Sequence, residues 1–240
     1  MSPTLRLAIS LALLPAAALA TGAPAPAPAP ELQRLDSVNV FGTAEDTQKA
    51  AGSAHYVDQA TLERFNYRDI NRVLRQVPGV YLVEEEGYGL RPNIGIRGSG
   101  TDRNSRITVM EDGVLIAPAP YAAPAAYYFP TMARIDAIEI RKGSSAIQAG
   151  PRTTGGAINL MSTPIPSEAG GEFDLSWGSD ATLLAHGWAG AMGERFGGLI
   201  EGVRQSSDGF KQIDGGGDAG FDLDDVVAKL RWVSAPDAAV

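Results

Sequence analysis

Two arginines and three tyrosines are the residues of this chain best suited to holding a ligand. Arg103 and Arg106 flank a polar loop over residues 99–105, which strand parity points outward. A guanidinium carries a fixed fork of N–H donors, so a pair at such a loop suits an anionic, oxygen-rich ligand. Tyr121, Tyr127 and Tyr128 lie in a second loop, residues 118–129, where their rings can cover an organic ligand or pack against protein. Arg97 and Arg152 read instead as structural charges.

Other apparent motifs carry less. His55 and His186 are isolated, no Ser-His-Asp order or paired-carboxylate arrangement is present, and the chain has no cysteine. That removes disulfides and Cys-metal frameworks, and no enzyme, metal site or cofactor is expected. Residues 215–220 spell GxGxxG but lack the flanking strand and helix that give the pattern meaning. Asp214, Asp218, Asp222, Asp224 and Asp225 lack the spacing and closing glutamate of a calcium loop. A net charge of -8 over 240 residues argues against nucleic acid as a partner.

The elements that position these residues begin after an address. Arg6 precedes an apolar run over residues 7–14, and Ala18-Leu19-Ala20 supplies a small-x-small cleavage site. Residues 1–20 are therefore expected to be a secretory signal peptide, the apolar run being too short for the roughly 20 residues of a spanning helix. Residues 21–34 alternate Ala and Pro and read as a semi-rigid extended tether. The short run at 35–41 places Val38 and Val40 on one face, suited to adding a strand to a partner's sheet or to forming an ordinary edge.

From residue 45 helices and strands mix. Asp58 is expected to cap a helix through Arg64, and Asn66 a second one burying Ile70, Val73, Leu74 and Val77, closed by Pro78-Gly79. Buried strand is expected at 80–83, with further strands at 94–98, 107–110 and 114–116, the last pair joined by the Glu111-Asp112-Gly113 turn. Ile138 and Ile140 alternate with Glu139 and Arg141. Gly143 ends that strand, Ser144 caps the next turn, and Gly150-Pro151 stops it before a Gly-Gly turn into another strand. The sum is a small α+β domain.

After Pro164-Ile165-Pro166 the pattern changes to two-faced strands. Phe173, Leu175 and Trp177 alternate with Glu172, Asp174 and Ser176. Val226, Ala228, Leu230 and Trp232 alternate with Asp225, Lys229 and Arg231, Val227 being the exception. Weaker strands are expected at 182–190 and 196–205. This suits the transmembrane strands of a β-barrel, although a soluble sandwich alternates similarly.

Residues 134–163, RIDAIEIRKGSSAIQAGPRTTGGAINLMST, resemble the plug signature of TonB-dependent outer-membrane receptors, usually worded close to RIEVLRGPASALYGSGAMGGVINIIT. GLRPNIGIRG (89–98), VMEDGV (109–114) and APAPY (117–121) extend the resemblance and look most like the ferric-citrate and siderophore branch. The resemblance implies a plug domain over 45–166, a small mixed sheet with short helices. The first antiparallel strands of a transmembrane β-barrel follow over 167–240, about four strands and so incomplete against the roughly 22 of a plugged barrel. It also implies that Asp36, Ser37, Val38, Asn39 and Val40 form a TonB box. The implied function is outer-membrane uptake of a ferric chelate, energised through TonB of the TonB-ExbB-ExbD complex, by a monomer in contact with outer-membrane lipid. Arg103, Arg106, Tyr121, Tyr127 and Tyr128 become the ligand candidates, and Arg97, Lys142 and Arg152 the plug-to-barrel contacts. Lys142 stands where the family carries arginine, keeping the charge without the bidentate fork. A plug-only periplasmic binding module, or a receptor for a non-iron cargo, is the alternative.

Overall fold

The computed structural model describes residues 45, 47, 52–102, 104–116, 128–150, 152–217 and 219–234. Helix α1, Gln59–Phe65, starts at Asp58, whose carboxylate accepts the Thr61 N–H at 2.9 Å. Asn66 does not cap the second helix. It closes the first in the left-handed conformation (φ 44°), which asparagine tolerates, its own N–H bonding Leu62 O. The cap of α2, Ile70–Leu74, is Asp69, which accepts from Asn71 N at 2.8 Å. Ile70, Val73, Leu74 and Val77 are all buried beneath it.

A five-stranded mixed sheet runs in the order β1-β6-β7-β4-β5, with β1 Ser53–Val57, β4 Ile107–Glu111, β5 Val114–Leu115, β6 Ile135–Lys142 and β7 Gly156–Ser162. The β4–β7 pair is parallel and the others antiparallel. One face of the sheet carries Ile138, Ile140, Ile158 and Leu160, each 0% exposed, over α2. The opposite face is also covered: Met110 and Ala157 pack with Ala146 and Ala149 of the 3-10 helix Gly143–Ala149. Strand β6 is thus buried on both faces, and the alternation of Glu139 and Arg141 does not mark a solvent side. Glu139 is 1% exposed and accepts from Arg141 Nε at 2.6 Å, since a buried carboxylate requires a cationic partner.

Two further expectations change at the ends of this unit. The 3-10 helix begins at Gly143 with no side-chain cap, so Ser144 lies inside it rather than at its head, and Gly150 (φ 116°) closes it. Strand β2, Val80–Val83, pairs with β3, Asn93–Ile96, as a separate ribbon. It alternates rather than being buried throughout, with Tyr81 and Val83 exposed. Asp112 and Gly113 both take positive φ, building the tight β4–β5 turn. Gly156 is required where it stands, because a Cβ there would meet Arg141 O at 2.5 Å.

Strands β8 Gly170–Trp177, β9 Leu183–Met192, β10 Phe196–Ser207 and β11 Phe221–Trp232 form an antiparallel sheet in sequence order. Register puts Phe173, Leu175, Ile200, Val226 and Leu230 on one exposed face, with Phe196 and Trp232 stacked at one end, ring centroids 6.5 Å apart. Leu199, Glu201, Val203 and Gln205 alternate onto the other, buried face. Exposed apolar on one side and buried polar on the other inverts a soluble sheet and matches a barrel wall whose lumen is filled. No helix among the described residues is long and apolar enough to cross a membrane.

Candidate functional site

Charged and polar side chains gather where the mixed domain meets the inward face of β10 and β11. Arg134, at the head of β6, is 0% exposed and uses all three guanidinium nitrogens. Nε donates to Asp225 Oδ2 on β11 at 2.6 Å, Nη1 to Glu111 Oε1 on β4 at 2.7 Å, and Nη2 to the Tyr128 hydroxyl at 2.9 Å. That hydroxyl donates in turn to Glu111 Oε2 at 3.1 Å. Burial alone would lower the Arg134 pKa, but the bond to Glu111 and the charges of Glu111 and Asp225 outweigh it and raise the value. Burial pushes the Tyr128 phenol up to about 12, opposed by Arg134 and reinforced by Glu111. Arg134 therefore carries a fixed charge shared between a carboxylate of its own domain and one of the wall.

Below it Lys229 of β11 points the same way. Its Nζ donates to Ser162 Oγ at 2.6 Å and Thr163 O at 2.8 Å, and pairs with Asp112 Oδ2 at 3.0 Å. Asp112 itself accepts from Ser162 N and Oγ. Glu201 of β10 accepts from Thr163 Oγ1 at 2.7 Å and lies 2.8 Å from His186 Nε2 of β9. Nearby, Asp136 is raised by burial and by Glu63, with Lys229 opposing. At the far end of β10 a loop of the wall meets the domain. Phe210 N donates to Tyr88 OH at 3.1 Å, Tyr88 packs on Phe210 and Phe221, and Lys211 Nζ reaches Glu85 O at 2.9 Å.

The residues singled out from sequence are scattered. Arg106 is exposed just before β4, reaching Ser99 O at 3.5 Å, in a loop tied by Asn104 to Ile94 O, Ser99 Oγ and Gly100 O. Tyr128 is at the other end of β4, five residues or roughly 15 Å away by strand rise, so the structure does not bring these two ligand candidates together. Lys142 is buried, and its Nζ donates to Pro78 O at 2.8 Å inside its own domain. Burial and the nearby Arg97 charge lower its pKa. Arg97 is exposed with φ 51°, its guanidinium over Gly143, and Arg152 is exposed on the same corner. Among the described residues none of these three makes an ion pair with the wall. Asp36, Ser37, Val38, Asn39, Val40, Arg103, Tyr121 and Tyr127, together with the signal and tether segments, lie outside the described residues.

Arg134, Asp225 and Lys229 were not singled out as contacts from sequence. The signal was available on β11, where Asp225 and Lys229 fall four residues apart on the face opposite Val226, Ala228 and Leu230. Two charges on the lumen side of a barrel strand call for partners inside.

A mixed domain joined by buried ion pairs to strands with an apolar outer face defines a plug lodged against the wall of a transmembrane barrel. Comparisons with known proteins agree. The family model for the TonB-dependent Receptor Plug Domain matches residues 46–157. The vitamin B12 transporter BtuB of Photobacterium profundum is 32% identical over 178 residues, covering 72% of this chain and 28% of that protein. Among solved structures, the unliganded ferric citrate transporter FecA aligns with TM-score 0.61 at 24% identity, covering 80% of this chain and 30% of that one. The siderophore receptor PirA of Acinetobacter baumannii aligns with TM-score 0.61 at 20% identity, over 81% and 31%. Residues 46–157 thus carry the plug domain of the TonB-dependent receptors, and the chain spans less than a third of the length of these relatives.

Proposed function

We propose that this chain serves an outer-membrane receptor that takes up a ferric chelate, gated by the plug and energised through TonB. The observation that carries the reading is the seam itself: Arg134 holds Glu111 of the plug and Asp225 of the wall together while fully buried. Such a seam closes a pore, and opening it requires work that nothing in these strands supplies. A periplasmic partner acting on residues 35–41 would supply it by pulling. The names of the ferric citrate transporter FecA and the siderophore receptor PirA support an iron-chelate cargo. Arg106 is exposed and, among the described residues, free of carboxylates, which suits it to an anionic chelate; Arg103, Tyr121 and Tyr127 remain proposed with it, while the Tyr128 hydroxyl is already engaged. The wall strands suit an outer membrane rather than solvent, with Arg97, Lys142 and Arg152 proposed to meet other parts of the wall.

The BtuB relative favours a second reading, a cobalamin cargo. Binding of ferric citrate and of cyanocobalamin, each with Arg103→Ala and Arg106→Ala variants, separates the two. Chelate binding weakened about tenfold by either substitution supports the first reading; cyanocobalamin binding alone supports the second. A TonB pull-down that survives deletion of residues 35–41 removes the proposed box.

A further inference from the structure

Tyr128 closes a ring of hydrogen bonds that the uptake reading does not by itself require. Its oxygen receives Arg134 Nη2 at 2.9 Å and gives its proton to Glu111 Oε2 at 3.1 Å, while Glu111 Oε1 receives Arg134 Nη1 at 2.7 Å. Three groups thus satisfy one another in a closed circuit, and only Arg134 Nε is left to reach across to Asp225. A guanidinium is planar, so fixing Nη1 and Nη2 by two partners fixes the direction in which Nε points. Were the phenol oxygen absent, Nη2 of the fully buried Arg134 would lose its acceptor, a costly loss in that setting, whereas the part-exposed Glu111 Oε2 could take water in place of its donor. The plane would then be free to tilt, and the Nε bond to the wall would tilt with it.

We propose that Tyr128 is the positioning residue of the plug-to-wall bridge: its hydroxyl orients Arg134 so that the plug grips Asp225, and displacing the phenol loosens that grip. Resting on the receptor reading above, this makes Tyr128 part of the plug's hold on the wall. Displacement of the phenol reaches β11 through two hydrogen bonds, that from Arg134 Nη2 to Tyr128 and that from Arg134 Nε to Asp225. Tyr128 touches no wall residue with its hydroxyl in this circuit, so any effect of the phenol on β11 passes through the guanidinium.

The test is hydrogen exchange by mass spectrometry on the whole chain in detergent micelles, with no cargo, comparing wild type, Tyr128→Phe, Asp225→Asn and the double variant. Tyr128→Phe is expected to speed exchange about tenfold around Asp225 in β11 as well as at the head of β6. In the Asp225→Asn background the same change should alter β11 much less, because the amide oxygen still accepts from Nε but the charge-assisted bond it acts through is lost. Acceleration confined to residues 128–135, or equal effects on β11 in both backgrounds, would overturn the proposal. If Tyr128→Phe does not fold, Glu111→Gln keeps the size of that side chain but leaves it one acceptor oxygen where the circuit uses two; an unchanged β11 in that variant also overturns it. Because no cargo or TonB is used, failure here is distinct from failure of the uptake reading.

Discussion

Two ends of the plug sheet treat positive charge in opposite ways. Where β6 begins and β4 ends, Arg134 is completely buried and bonded to carboxylates of both plug and wall, and Lys229 comes down from the wall onto Asp112, Ser162 and Thr163. Where β6 ends and β7 begins, Arg97 and Arg152 are exposed, and Lys142 turns inward to a backbone carbonyl, its charge disfavoured by burial and by Arg97. The first end is adhesive to β10 and β11. The second presents cations to which none of the described wall strands offers a carboxylate. What holds plug to wall here is thus charge matching with particular strands, and the glycine-rich signature contributes shape more than adhesion.

That contrast can be broken in graded steps. The largest effect is expected from Arg134→Met, which leaves Glu111 and Asp225 facing each other without their cation and should cost about 3–5 kcal/mol in urea unfolding of the chain in detergent. Lys229→Met removes a partly exposed ammonium with several acceptors and should cost about 1–3 kcal/mol by the same measurement. Asp136→Asn should move stability the other way. Its folded pKa is raised above 3.8, so the native state binds the proton more tightly. The stability this gives is present below pH 3.8 and is lost as pH rises through the folded value. The asparagine variant is therefore expected to be more stable than wild type at about pH 7, with the advantage shrinking towards about pH 3.5 in thermal melts. Smallest of all, Arg97→Ala should stay within about 0.5 kcal/mol of wild type, since its guanidinium is exposed and makes no ion pair among the described residues. A loss at Arg97 as large as that at Arg134 would erase the distinction between the two ends.

Much of the fold was readable from the chain because its cues are local. Strand alternation in 173–177 and 226–232, the Asp112-Gly113 turn and the Asp58 cap each depend on neighbours within a few residues. Asn66 misled for the same reason: an asparagine before a helix and one ending the previous helix look alike until φ is known. Strand β6 was read correctly as a strand, but period 2 reports alternation of residue type and not what covers each face, and Glu139 and Arg141 are buried there as well as Ile138 and Ile140. The seam was least readable. Arg134 finds Glu111 23 residues away and Asp225 91 residues away, and only the tertiary register brings them within bonding distance. Tyr128 shows the difficulty in one residue, for an aromatic with a hydroxyl fits a ligand loop and a hydrogen-bond circuit equally well by type.

The central claim, that the buried Arg134 is a main bond between plug and wall, is tested most directly by a double-mutant cycle of Arg134→Met and Asp225→Asn, read as urea unfolding of the chain in detergent. The bridge predicts strong non-additivity, with a coupling of at least about 1.5 kcal/mol between the two positions. Additive effects within about 0.5 kcal/mol would mean that the plug and the wall are held by something other than this bond, and would contradict the account.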